Sequence, residues 1–201
     1  MPQSTFDEII ENIQSLHSQI EDEFDRLFAE KQRQFHYNLE KGKVIFEEGI
    51  RDLQLQYRTG LWKYIRGAKI GHILISPVIY SVSVPLLLLD IVITIYQHIC
   101  FRVFGIDRVC RADYIVIDRQ HLSYLNVIEK MNCMYCGYGN GLIEYAREII
   151  ARTEQYWCPI KHARRSLGHH HRVAEFADYG HAEDYKKKLK QLRNDLTSRR
   201  K

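Results

Sequence analysis

Ile70-Gly71-His72-Ile73-Leu74-Ile75-Ser76-Pro77-Val78-Ile79-Tyr80-Ser81-Val82-Ser83-Val84-Pro85-Leu86-Leu87-Leu88-Leu89 runs for 20 residues without a formal charge, and between Ile73 and Phe101 there is a single one, Asp90. About 20 apolar residues suffice to cross a hydrocarbon core of roughly 30 Å. The stretch therefore predicts a membrane-embedded helical segment, placed at 67–104. Trp62 and Tyr64 before it, and Tyr96, Phe101 and Phe104 towards its end, resemble interfacial aromatic anchors. Lys63, Arg66 and Lys69 precede it, and Arg102, Arg108 and Arg111 follow it. Bases on both flanks give no orientation by the positive-inside rule. They suit a segment that enters and leaves by one face, with Pro77 and Pro85 as points of bending. The competing reading is a core helix of a soluble domain, but core helices run shorter before a charge. Asp90 and His98 are eight residues apart and share a helix face. Ionisable groups at membrane depth raise the idea of a proton or ion relay. The simpler reading, which we favour, pairs Asp90 with Ser81, Ser83 or a backbone group freed by Pro85.

Outward from this segment, the chain of 201 residues is long enough for one domain, or one small domain with an extended appendage. Its mean hydropathy of −0.36 excludes a polytopic transporter. With 45% hydrophobic residues, 11 Gly and 4 Pro, it is neither collagen-like nor low-complexity nor wholly disordered. The net charge of +4 is unevenly distributed. Residues 1–40 hold nine acids against three bases, residues 41–111 ten bases against five acids, and residues 161–201 twelve bases against five acids. The bases beside the apolar run match anionic lipid head groups. Those of the tail, including Arg164, Arg165, Lys186, Lys187 and Lys188, are interspersed with acids and form no nucleic-acid motif, so a nucleic-acid partner is not expected. Met1-Pro2-Gln3-Ser4-Thr5, followed by Asp7 and Glu8, has neither the basic start nor the apolar core of a signal peptide, which predicts a cytoplasmic N-terminus.

Residues 1–66 read as an amphipathic helix or coiled-coil region. Thr5 and Glu8 form a capping box, and Phe6, Ile9, Ile10, Ile13, Leu16, Ile20, Phe24, Leu27 and Phe28 recur at threes and fours. The stripe continues loosely through Phe35, Leu39, Val44, Ile45, Ile50, Leu53, Tyr57 and Leu61, weakened at Gly42 and Gly49. Such a helix calls for a protein partner or self-association. After the apolar segment, Asp113–Asp118 is a strand or an extended link. A helical pattern then begins at Leu122, is interrupted by Gly137, Gly139 and Gly141, and resumes through Leu142, Ala146 and Ile150. Residues 167–201 form a basic helical tail, in which His169-His170-His171 reads as solvated.

The strongest chemical signal is Cys133-x2-Cys136-x21-Cys158-x3-His162. A Cys-x-x-Cys turn offers two thiolates to one tetrahedral ion, and Gly137 lets the backbone curl towards the second sulfur. Pro159 suits a first helical position, with Cys158 as cap and His162 one turn on. Three thiolates and an imidazole imply structural zinc stabilising a small helical unit at 112–166. Iron is the alternative and would recruit Cys110 or Cys100 in place of His162. With five cysteines and no export signal, metal or redox chemistry is expected rather than a disulfide framework. In the redox alternative, a helix starting at the pair would activate a thiolate of Cys133 or Cys136.

The string Glu129…Cys133-Met134-Tyr135-Cys136…Asn140 resembles the alkylhydroperoxidase D type of thiol reductase, whose proton-relaying His after the second Cys is replaced here by Asn140. The run Asp113–Arg165, with Tyr-Cys-Gly-Tyr and Arg-Thr-Glu-Gln-Tyr-Trp-Cys-Pro-Ile-Lys-His, together with the apolar segment before it, resembles a family of uncharacterised bacterial membrane-associated proteins. That resemblance implies a bacterial inner-membrane setting with soluble parts on the cytoplasmic side, and no activity. The combined expectation is a mainly α protein comprising a long N-terminal amphipathic helix, a membrane-embedded segment and a metal-stabilised helical unit. Its expected role is a membrane-anchored scaffold or adaptor rather than an enzyme, with membrane lipids and a helix partner as its contacts. The alternative is a thiol redox or electron-transfer protein using Cys133 and Cys136.

Overall fold

The computed structural model describes residues 5–35, 37–40, 43–46, 49–164 and 166–197. It is mainly helical and divides into two compact units, Met1–Leu61 with Asp118–Val127, and Trp62–Ile117 with Ile128–Lys201. The expected boundaries at 112 and 166 are therefore not boundaries between units, since the apolar segment, most of the cysteine region and the tail share one of them.

In the first unit, α1 (Thr5–Gln34) is the long amphipathic helix expected. Its stripe Leu16, Ile20, Phe24, Leu27 and Phe28 is exposed. The helix does not continue as the loose stripe suggested. It gives way to an antiparallel hairpin, β1 (Tyr37–Glu40) and β2 (Lys43–Phe46), in register Tyr37 to Phe46 and Glu40 to Lys43. β-branched and aromatic side chains favour a pleated surface over a helix, and the Tyr37 and Phe46 rings pair at 5.8 Å across the two strands. Gly49, at φ +89°, then opens α2 (Ile50–Gln56) in a backbone region that side chains resist. The backbone N–H of Ser123 donates to Gln54 Oε1 at 3.1 Å, tying the 118–127 segment to this unit.

In the second unit, α3 (Leu61–Gly67) leads into a helical run of 35 residues, Ile70–Phe104. It consists of α4 (Ile70–Ser81), α5 (Ser83–Tyr96), a π-helical turn (Gln97–Phe101) and α6 (Arg102–Phe104), closed by Gly105 at φ +73°. Pro77 deprives the Ile73 carbonyl of its helical donor, and the Ser76 hydroxyl supplies one at 2.8 Å. Ser81 and Ser83 likewise donate to the carbonyls of Val78 and Tyr80. Hydroxyls that return bonds to the backbone let this helix keep its prolines. The helix break at Val82 lies three residues before Pro85, where a proline's effect on the preceding turn is expected.

α7 (Val127–Trp157) is one continuous helix of 31 residues, so the three glycines do not interrupt it as expected. It packs along the apolar run in the same direction: Tyr80 bonds Asn132, Tyr138 bonds Asp90, Tyr96 bonds Thr153, and Phe104 stacks on Tyr156 at 5.0 Å. The core between them comprises Ile93, Phe101, Ile106, Val109, Leu142, Tyr145, Ala146, Ile149 and Leu196. Gly137 and Gly141 lie one turn apart under the extended link that follows Asp113, where side chains on the helix would meet the backbone of Tyr114, Ile115 and Val116. The link is thus extended without being a strand, and the glycines serve its close approach. α8 (Ala182–Thr197) is the helical part of the tail and buries Leu192 and Leu196, whereas the tail ahead of it is irregular apart from a 3-10 turn at His171–Glu175.

Candidate functional site

The four sequence-predicted metal ligands do not converge. Cys133 and Cys136 lie on the same continuous α7, whose last residue, Trp157, directly precedes Cys158. At 1.5 Å per residue, Cys133 and Cys158 are separated by about 37 Å of helix. Pro159 does not begin a helix. It follows the end of one, because a ring without an N–H cannot continue the ladder, and the chain beyond it is extended, with an isolated parallel bridge between Ile160 and Ala177. Cys158 therefore caps nothing downstream, and His162 is exposed on an extended stretch rather than one helical turn away. Among the described residues, no group of three or more His, Cys, Asp or Glu is placed to hold a metal ion. All five cysteines are free thiols. As placed, these side chains do not form a donor set that fits zinc or iron.

Nor do Cys133 and Cys136 stand at a helix N-terminus, as the redox reading required. They are six and nine residues past Val127, in the interior of α7. Asn140, in place of the relay His, donates its side-chain amide to the Cys136 carbonyl at 2.9 Å, an intrahelical role. Burial, then the nearby Glu154 carboxylate, push the Cys158 thiol above its usual range, away from thiolate chemistry.

Asp90 is paired, though with none of the groups sequence reasoning offered. It accepts from Arg111 through Nε at 3.2 Å and Nη2 at 2.7 Å, from the Tyr138 hydroxyl at 2.9 Å and from Thr94 at 3.3 Å. His98 Nδ1 lies 2.7 Å from the Thr94 carbonyl, so Thr94 joins the two ionisable residues along one face. The arrangement fixes the link carrying Arg111 to both long helices. A two-point guanidinium contact is the strong form of this pairing.

The most densely connected polar cluster is built on Glu148, whose pairing with Arg152 the helical spacing anticipates but whose burial and remaining partners it does not. Glu148 Oε1 accepts from Arg152 Nε at 2.8 Å and Arg172 Nη2 at 2.6 Å. Arg152 Nη1 also reaches the Asp107 carbonyl at 2.7 Å, and Arg172 Nη1 reaches Gln155 Oε1 at 2.8 Å. Gln155 in turn donates to the Leu192 carbonyl at 3.1 Å. Burial pushes the Glu148 carboxyl up, but the bonds and charges of Arg172 and Arg152 outweigh it and hold the group below its ordinary value. The triple histidine is not solvated throughout: His170 Nε2 lies 2.8 Å from Glu154 Oε2 and its ring meets Phe176 edge-on at 5.7 Å. The pairs Glu144–Arg147 and Glu148–Arg152 are legible as helical neighbours. Nothing local could announce Arg172 or His170, because their partners are 24 and 16 positions away. Chemically the cluster is a clamp joining the 105–110 loop, α7, the 171–175 turn and α8.

Gln97 makes a second clamp. Turned inward by the π-helical bulge, it accepts the Val109 N–H at 2.9 Å, donates to the Val109 carbonyl at 3.3 Å and bonds the Tyr145 hydroxyl. Arg193 of the basic tail lies over the Tyr156 ring at 4.8 Å and donates to its carbonyl at 2.7 Å.

The unit also leaves a long apolar surface uncovered. Along Ile70–Phe104 exposed apolar side chains run from end to end, with Ile70, Leu74, Val78, Val84, Leu88, Ile91, Val92, Ile95, Ile99 and Val103 exposed from 53% to 76% of each, and Ile73, Ile75, Ile79, Val82 and Leu87 about half exposed beside them. The run is almost wholly unburied, unlike the core helix of a soluble domain, and among the described residues it is the one helix long and apolar enough to cross a membrane. No family model, curated protein or solved structure matches the chain.

Proposed function

We propose that the protein is a membrane-anchored scaffold or adaptor, held to a bacterial inner membrane by the apolar run and acting through its N-terminal helix. The observation that carries the anchor is the continuous exposed face from Ile70 to Val103. An apolar patch of that extent on a water-exposed surface marks a lipid or protein contact. Bases at both ends, Lys63, Arg66 and Lys69 before it and Arg102 and Arg108 after it, favour lipid with anionic head groups. The clamps at Glu148 and Gln97 support a structural rather than catalytic role, since most of their donors and acceptors join chain segments, with Arg172 Nε and the neighbouring His170 Nδ1 the buried atoms left without a partner.

For α1, a second copy is the occupant the charges favour. Up to Asp25 the helix has acids and no bases, whereas its last third holds Arg26, Lys31 and Arg33. Parallel pairing would align Glu21, Asp22, Glu23 and Asp25 with their own copies. Antiparallel pairing separates them and brings the basic end towards the acidic one, as opposite charges on paired helices require.

Flotation with sealed vesicles containing anionic lipid tests the anchor. Wild type is expected to float, and a Leu88→Arg, Ile95→Arg double variant, altered only at exposed positions, is expected to remain at the bottom of the gradient. A wild-type chain that stays unbound at low salt would end this reading.

A further inference from the structure

Resting on the anchoring role above, we infer that the Ile70–Phe104 helix lies in the plane of one leaflet, with both its ends on the same side, and does not span the bilayer. The helix is 35 residues long, about 52 Å at 1.5 Å per residue. The hydrocarbon core is only about 30 Å thick. The exposed apolar stripe occupies the full length of the helix, from Ile70 at 76% exposure to Val103 at 76%. A span beginning at Ile70 would use its 20 residues by Leu89 and leave Ile91, Val92, Ile95, Ile99 and Val103 in water. A span ending at Val103 would strand Ile70, Leu74 and Val78 instead. Lying in the interface, the helix covers every one of them at once.

The opposite face agrees. Along it run the Asp90–Arg111 pair, with Arg111 nearly half exposed, and the buried amide of Gln97. Further along, the Glu148–Arg152–Arg172 cluster sits beside the same helix through α7 and the 105–110 loop. A spanning helix would meet lipid around its circumference and carry part of this polar layer to hydrocarbon depth, where charged groups are costly. A helix in the interface keeps the polar layer in water while its exposed apolar side chains, from Ile70 to Val103, share one depth. Bases at both ends then share a single plane of head groups. The bases flanking the run thus have the symmetry that such an embedding requires.

The test uses the full chain, tagged at both termini and synthesised in the presence of sealed inner-membrane vesicles. Flotation first reports attachment, and protease added outside then reports the side of each tag, with detergent-opened vesicles as the control. The expected result is a floating protein whose two tags share one fate. A floating protein with one tag protected and the other removed overturns the in-plane placement while leaving the anchor intact. A protein that does not float overturns both. Independently, Leu74→Arg and Ile99→Arg, each at an exposed site near one end of the stripe, should each weaken vesicle binding by about tenfold or more. If only one of them matters, the stripe is not used along its whole length and the in-plane placement fails.

Discussion

Gly141 of α7 lies beneath the backbone of Tyr114 and Ile115. A Cβ at this position would come within 2.9 Å of the Ile115 Cα and closer still to the Tyr114 carbonyl. Neither atom is the end of a flexible side chain, so the link would have to move. Gly139, two residues earlier, faces only the Leu86 Cδ1 at 3.4 Å, an ordinary contact. Gly141→Ala should therefore cost about 2 kcal/mol by overpacking. Gly139→Ala should be neutral or slightly stabilising, because alanine is the better helix former by about 1 kcal/mol. Thermal unfolding of the two variants side by side checks this, and equal midpoints would mean that the link does not rest on the glycine.

Glu148 holds two guanidiniums with one carboxylate whose side chain is only 10% exposed. Glu148→Gln removes the charge while keeping the shape, leaving Arg152 and Arg172 without their shared counter-ion. Breaking a buried pair from one side costs about 3 kcal/mol. The folded-state carboxyl is held below its ordinary value. Its contribution is thus fully present above the unfolded carboxylate range, near pH 4.3, and is lost as pH falls through the lower folded value. Wild type should lose stability on acidification below that range more steeply than Glu148→Gln. Urea midpoints measured from pH 6 down to pH 3 decide it: parallel curves would show that Glu148 is not the group titrating.

The separation of Cys133 from Cys158 along α7 makes a prediction about metal. Structural zinc contributes folding free energy, so chelation unfolds the domains that depend on it. Here chelation should leave the melting midpoint unchanged, and Cys136→Ser and Cys158→Ser should each melt close to wild type. A chelator-induced drop in wild type, matched without chelator by both cysteine variants, would require a folded state in which α7 bends back on itself.

The legible parts of this fold are those whose signal is local. The uncharged run from Ile70, the stripe of α1 and the Leu192–Leu196 spacing of α8 each declare a helix within a few turns. The hairpin was hidden because Tyr37–Glu40 and Lys43–Phe46 are four residues each, too short for period two to outweigh a neighbouring helical stripe. Glycine at 137, 139 and 141 is unfavourable for an isolated helix, and only the link packed on it explains why the helix persists. The cysteine spacing misled for a related reason. It describes distance along the chain, and whether Cys133 and Cys158 meet depends on whether the intervening residues fold back, which α7 does not do. The clamp at Glu148 was half legible, since Arg152 is a helical neighbour and Arg172 arrives from a distant turn.

The apolar stripe of α1 gives the last prediction. Ile20 and Phe24 are both more than half exposed, and a helix with an uncovered stripe of this kind draws most of its stability from whatever packs against it. If a second copy does so antiparallel, Ile20→Asp with Phe24→Asp should halve the protein mass measured by sedimentation in detergent and lower the helical circular-dichroism signal. Reversing charge at the basic end, Lys31→Glu with Arg33→Glu, should weaken association by opposing acidic ends in the antiparallel pair. It would do little in a parallel pair, where those positions face their own copies. Wild type sedimenting as a single chain would remove the second copy as occupant and leave α1 to a different partner. Since both double variants lie on exposed positions of one helix, the second unit should melt unchanged in each, which separates lost association from lost folding.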